Sequence, residues 1–408
     1  MKRILAAVLC LLLLAGCGAE KQTPTEEGPP AGKMTLPEST YTGDDAGECD
    51  CTMTMEWEEY DPSVDTVWYI LKNESGQEVE VGEEVRLETL GENDTWYQVP
   101  LAENAAWNAV AYGILAGEQL ALPCSFSVFD YDFSGGGKFR IVKEVEGQTC
   151  AASFTLKAGA AVSAERPYGV IPLEQLPEDY NAGAGVKDGC RVETDDYAEN
   201  LWAIDDFLEK VRLGIPCQLR TVQDYNENSP VIIDTTYENG CCLWRLRHDG
   251  EITERRFSYL VTDPEGECVY LSNGADWDAG ERYGDHRTLL TSAGGPWHLV
   301  EDMTASRLAA NTARYKAWSD DGEWSAALTE KPTEFIVSGP NGGRVCDLRD
   351  YELTNGLTSI QNLGWSTNHE NILVITGNES GLGPGRHKNI VYYDVEKLNV
   401  LDILTPGS

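Results

Sequence analysis

A chain of 408 residues that is 41% apolar and 9% aromatic has enough material for two or three folded domains of ordinary size. Its 68 acidic residues outweigh 31 basic ones, for a formal charge of -37, so its surface repels nucleic-acid phosphate and anionic bilayers alike. The acidic residues are scattered between apolar stretches instead of forming a block, the pattern of solvated faces.

The first 16 residues have the layout of a secretory signal. Lys2 and Arg3 precede an apolar run to Leu14, followed by the small residues Ala15 and Gly16. The run is too short for a bilayer, which needs about 20 apolar residues. Leu14-Ala15-Gly16-Cys17 resembles the lipobox of bacterial lipoproteins. The resemblance implies that residues 1–16 are removed and that Cys17 is the lipid attachment site, with the cell membrane as its partner. Residues 17–48 are rich in Gly, Pro, Thr, Glu and Asp and nearly free of large apolar side chains, so they are expected to form a flexible tether.

From residue 49 to 148 the chain reads as short strands. Met53, Met55 and Trp57 alternate, as do Val67, Tyr69 and Leu71, and turns fall at Asn73-Glu74-Ser75-Gly76 and Gly82. Alternation without a helical period indicates a β-sandwich. The segments WYILKNESG (Trp68 to Gly76), VGEEVRLE (Val81 to Glu88), WYQVP (Trp96 to Pro100), LAGEQ (Leu115 to Gln119) and GGKFRIVK (Gly136 to Lys143) resemble a bacterial Ig-like domain of exported Gram-positive proteins. The resemblance implies a domain that presents, spaces or binds, and does not imply catalysis. Within it, Asp130-Tyr131-Asp132-Phe133-Ser134-Gly135 imitates the start of a calcium loop. Position twelve is Ile141 where a bidentate Glu is needed, so a β-turn is expected and no metal.

Residues 149–194, with several Pro and Gly, read as a connector, although Phe154 and Leu156 have strand spacing. Residues 195–408 are expected to be an α+β region, with a candidate split near 280. Asp196 is a candidate helix cap with Glu199 as its capping-box partner, and Tyr197, Leu201, Ile204, Leu208 and Val211 recur at helical spacing before Gly214 and Pro216. The helix is followed by an antiparallel meander through Leu219–Val222, Val231–Thr236, Cys242/Trp244/Leu246, Phe257/Tyr259/Val261 and Cys268–Leu271, with turns at Asn239-Gly240 and Asp249-Gly250. Arg245 and Arg247 alternate with Trp244 and Leu246, which places the arginines on one face, charged and open. A second helix is expected over Thr304–Trp318. Strands are expected at Phe335–Val337 and Val345–Leu348, a strand or turn at Leu357–Leu363, and a strand pair at Ile372–Ile375 and Ile390–Val395. The loop Gly377–Lys388 lacks the Gly-Lys-Ser/Thr and following helix of a phosphate cradle, so Arg386, His387 and Lys388 are candidates only for a partner contact.

Ten cysteines lie beyond Cys10 and Cys17. An exported compartment permits disulfides, and one or two are expected, with the rest buried thiols. Cys49-Asp50-Cys51 is too close for a redox or zinc C-x-x-C. None of the five histidines forms H-E-x-x-H, and no G-x-S-x-G elbow is present, so no catalytic residue or cofactor is assigned. Asp276-Trp277-Asp278 and Trp297-His298 mix aromatic and polar groups as a sugar site would. The leading expectation is a lipid-anchored surface protein that binds a protein or glycan through its C-terminal region, with the Ig-like domain as spacer. The alternatives are an envelope-acting hydrolase, which needs a cleft with converging carboxylates or histidines, and a carrier, which needs a cavity between the first helix and the meander.

Overall fold

In the computed structural model, the structure describes residues 36–404 apart from 42, 44–49, 92–93, 226–228, 263–268, 275–285, 291–314, 330, 341, 352–356, 367–368, 380–387 and 398. The alternation in the first domain drives one face of each strand inward. Cys51 and Met53 on β1 (Cys51–Met55), Val67, Tyr69 and Leu71 on β3 (Thr66–Asn73), and Leu122 and Cys124 on β8 (Gln119–Ser125) are buried, and the three strands form a sheet in the order β1-β3-β8. The facing sheet contains β2 (Glu59–Tyr60), β5 (Arg86–Leu90), β6 (Trp96–Gln98), β9 (Gly137–Val145) and β10 (Gln148–Leu156), in the order β2-β10-β9-β5-β6. A short ribbon of β4 (Val79–Val81) and β7 (Tyr112–Ile114) closes one side. Aromatic rings fill the interior, with Phe139 and Phe154 stacked at 5.7 Å between centroids.

Both ends of this domain lie beyond the expected 49–148. Glu146 and Gly147 have φ of 48 and 77, the geometry of a two-residue hairpin, so the supposed start of the connector instead returns as β10, paired with β9 from Gln148 to Leu156. At the other end, part of the supposed tether docks on the edge strand β6. Ser39 N–H donates to the Trp96 carbonyl at 2.8 Å, and Gln98 N–H donates to that of Pro37 at 2.9 Å, which covers an otherwise open edge. The calcium-loop imitation is a turn: the Asp132 carboxylate accepts the Ser134 N–H at 3.0 Å.

The rest of the supposed connector also has structure. It carries α1 (Ala182–Lys187) and β11 (Arg191–Thr194), and β11 joins a sheet with β12 (Ala198–Glu199), β13 (Cys217–Asp224), β14 (Val231–Glu238), β15 (Cys241–His248) and β16 (Glu251–Phe257), in the order β12-β11-β13-β14-β15-β16. The hairpin turns at Asn239-Gly240 and Asp249-Gly250 have the positive φ pairs 51/74 and 51/80 that tight turns require. One sheet face packs against α2 (Trp202–Leu213): Ile204, Phe207, Leu208 and Val211 meet Leu219, Tyr237 and Trp244.

That helix starts six residues after its expected cap. Thr194 Oγ1 accepts the N–H groups of Asp196 and Tyr197, and β12 pairs back on β11 before Asn200 turns the chain at φ 54. Tyr197 and Leu201, expected on the buried helix face, are therefore exposed.

The opposite face is not open. Arg247 donates to the carbonyls of Leu176 at 2.9 Å and Pro177 at 3.1 Å, and Arg220 donates to that of Ile171 at 2.8 Å, so these arginines fasten residues 171–177 across the sheet. Beneath this segment Arg220, Asp234, Arg245 and Glu254 lie opposite one another on four successive strands, alternating in charge. Arg220 and Asp234 are buried and joined bidentately at 2.6 and 2.7 Å.

Beyond Phe257 every regular element among the described residues is a strand or a single 3-10 turn. β17 (Tyr259–Thr262), β18 (Val269–Ser272) and β19 (His286–Leu290) make one sheet. Two four-stranded meanders follow: β20 (Tyr315–Trp318), β21 (Ser325–Leu328), β22 (Glu334–Gly339) and β23 (Gly342–Asp347), then β24 (Leu357–Ser366), β25 (His369–Glu379), β26 (Lys388–Asp394) and β27 (Asn399–Leu404). Phe335, Leu373, Ile375 and Tyr393 belong to one core shared by both meanders. Tyr315 and Trp318 thus lie on a strand where a helix was expected, and the remainder of that segment, 304–314, lies outside the described residues. The chain is mostly β, with 27 strands and two α-helices described.

The Ig-like domain and α2 are in contact. Lys210 lies 3.4 Å from Glu56 and 4.3 Å from the centroid of the Trp57 ring, while Leu213 and Ile215 pack with Trp68, Ile70 and Ala121.

Candidate functional site

A cleft of about 390 Å³ opens where the edge strand β16 meets β20 and β24. This volume falls within the roughly 300–1,000 Å³ usual for small-ligand sites. Arg255 and Arg256 line it from β16, Tyr315 and Trp318 from β20, and Gly364 and Trp365 from β24. Two features of the local structure assemble it. The Asp249-Gly250 turn makes β16 the last strand of its sheet, leaving its outer edge toward the cleft. Ser258 then ends the strand and its Oγ accepts the Trp318 indole N–H at 3.3 Å, tying the two units together.

Charge in the cleft departs from that of the whole chain. Arg255 and Arg256 line it, and beside the lining Lys316 places its ammonium 4.3 Å from the Trp318 ring centroid, where burial pulls its pKa below the usual lysine value. Glu254 also lines the cleft, but its carboxylate is 3.4 Å from Arg245. Asp320 contributes an exposed carboxylate. Gly322, at φ 70, lies so close to Arg256 that any Cβ there would overlap the guanidinium, so the glycine makes room for that side chain. Trp365 Nε1 is buried and has no hydrogen-bond partner among the described residues.

The candidates chosen from sequence do not converge here. Arg386 and His387 lie outside the described residues, as do Cys17, Asp276-Trp277-Asp278 and Trp297-His298. Lys388 begins β26 opposite Asn378, four residues along β25 from the partner of Gly364. At about 3.3 Å per residue this is roughly 13 Å from the cleft level. Sequence reasoning passed over Arg255-Arg256 and Trp365. A pair of adjacent arginines beside an apolar run, in a chain this acidic, was the available signal.

Four other features bear on function. Among the described residues no group of His, Cys, Asp and Glu is arranged to hold a metal. The expected disulfides are not found among the described residues, where Cys124, Cys190, Cys217, Cys241, Cys242 and Cys346 are free thiols; Cys49 and Cys268 lie outside the described residues. Apolar side chains of α2 and its sheet fill the space in which the carrier alternative needs a cavity. No helix among the described residues is long and apolar enough to cross a membrane.

Two sheets, antiparallel except for the β2–β10 pair, packed face to face over an aromatic core define the N-terminal unit as an immunoglobulin-like sandwich. Residues 47–155 match the bacterial Ig-like domain family, and that segment is a bacterial Ig-like domain. No curated protein matches the chain.

Solved structures resemble it only distantly. They include a Pseudomonas fluorescens alkylpurine DNA glycosylase bound to abasic-site DNA (12% identity, 28% of this chain and 32% of that one, TM-score 0.18). A nidogen/laminin complex matches at 12% identity over 43% of this chain and 62% of that one, TM-score 0.19. The periplasmic gluconolactonase of Pseudomonas aeruginosa matches at 10% identity over 86% of this chain and 84% of that one, TM-score 0.18. The chain spans about a third of the first of these and 62% of the second. At such scores none carries a fold or an activity over.

Proposed function

We propose that the chain is a lipid-anchored protein of the extracytoplasmic face of the bacterial cell membrane, held by a lipid on Cys17. In this reading the Ig-like domain is a spacer and the region beyond it binds a glycan or protein of the surface. Residues 182–257, two helices on a sheet that is antiparallel except for its β11–β13 pair, are read as the α+β part of the C-terminal region.

The observation that carries the binding role is the cleft at β16, which sets two indoles and a phenol among arginines. Such a lining suits recognition of a polar ligand with apolar faces. Of the two carboxylates that line the cleft, Glu254 is held by Arg245, which leaves Asp320 alone where glycoside hydrolysis uses a pair, and this favours binding.

The anchor is tested by expressing the full chain and its Cys17→Ser variant in a bacterium that processes lipoproteins. The intact chain is expected in the membrane fraction, with a mature N-terminus at Cys17 heavier by its acyl groups. A Cys17→Ser chain that stays in the membrane fraction to the same extent contradicts the anchor.

A further inference from the structure

We infer that the cleft at β16 binds an acidic saccharide, one whose sugar rings carry a carboxylate. The inference rests on the reading of that cleft as the binding site and adds the chemical class of its ligand.

Two observations converge. The first is the indole surface. Trp318 and Trp365 line the cleft from two different strands, and sugar rings present C–H faces that stack on such surfaces while their hydroxyls stay hydrogen-bonded.

The second is charge. A chain of formal charge -37 repels an anion unless cations are gathered where it binds. Arg255 and Arg256 line the cleft, and Lys316 sits beside Trp318. Of the two carboxylates that line it, Glu254 is already paired with Arg245, leaving Asp320 at the solvent-exposed side. A guanidinium fork matches a carboxylate in two parallel hydrogen bonds, a geometry that a neutral sugar cannot use.

The test is calorimetric titration of the full chain in detergent micelles with a glucuronic acid tetramer, a neutral glucose tetramer and inorganic phosphate. The same titrations are run on Arg256→Gln, Trp318→Ala and Trp365→Phe, with thermal melts to confirm folding. The acidic tetramer is expected to bind at least ten times more tightly than the neutral one, and Arg256→Gln is expected to remove most of that difference. Trp318→Ala and Trp365→Phe, which each remove indole surface, are expected to weaken both sugars while the protein stays folded.

Equal binding of the two tetramers, lost in Trp318→Ala, overturns the acidic preference and leaves the cleft reading standing. Binding of phosphate as tight as that of the acidic tetramer overturns the saccharide. Sugar binding unaffected by all three variants, or no sugar binding by folded protein, overturns the cleft reading itself.

Discussion

Arg140 donates from Nε to Oε2 of Glu88 across 2.8 Å, with both side chains almost wholly out of solvent, and the same guanidinium reaches the carbonyls of Tyr41 at 2.9 Å and Gly43 at 3.2 Å. It is also stacked over the Trp96 ring at 4.3 Å, while Ser39 Oγ donates to the other Glu88 oxygen at 2.5 Å. One buried ion pair therefore fastens the chain that leads from the N-terminal segment onto the Ig-like sheet. Removing one partner of such a pair leaves the other charge buried and unpaired, which costs about 3–5 kcal/mol. Arg140→Leu is expected to lower the stability of the domain by that order in denaturant unfolding and to make residues 36–43 sensitive to protease. Unchanged protection of those residues would refute the fastening role.

Gly136, the first residue of the GGKFRIVK segment, has φ 66, and a Cβ there would lie 2.6 Å from the Leu156 carbonyl oxygen. Gly159, at φ 78, has open space around the same position. Gly159→Ala is expected to cost only the left-handed backbone penalty of about 1–2 kcal/mol. Gly136→Ala adds a clash with backbone that cannot rotate away, and should be clearly the more destabilising of the two in parallel denaturant titrations.

Glu56 is held above its ordinary pKa, because burial penalises its charge more than Lys210 rewards it. A carboxyl whose folded pKa exceeds its unfolded one contributes stability that is fully present below the unfolded value, about 4.3, and is lost as pH rises through the folded value. Glu56→Gln removes that loss. The variant should be at least as stable as the parent at pH 7, with a flatter stability profile above pH 4.3; a variant markedly less stable at pH 7 would show that the contact with Lys210 dominates.

Burial pushes the Cys124 thiol up to about 12 and raises those of Cys217 and Cys242 as well. Their thiolate, the reactive form, is scarce at pH 8. Native protein treated with iodoacetamide should leave these three unmodified, and guanidinium should open all three to labelling. Rapid native labelling of Cys124 would contradict the packing of the first sandwich.

The sandwich was legible because its strands obey a strict period of two and its core residues, such as Val67, Tyr69 and Leu71, need nothing distant to explain them. Errors arose where side chains compete with the pattern. Thr194 and Asn200 bind backbone groups and so delay α2, although Tyr197 and Leu201 have perfect helical spacing. Arg220, Arg245 and Arg247 read as solvent-facing because sequence does not show that residues 171–177 return to cover them. The cleft was the least legible feature. Its residues come from positions 243–365, and only the meeting of three strands brings Arg256, Trp318 and Trp365 together.

The cleft competes with one other surface. Tyr197, Leu201 and Trp202 expose large side chains beside the short edge strand β12, with Trp202 59% exposed. Hydrogen exchange on the full chain, with and without the glucuronic acid tetramer, separates the two most directly. Protection is expected in residues 253–257 and 315–320, with none in 197–202. Protection centred on 197–202, or no change in either region under saturating tetramer, would contradict the cleft as the binding site.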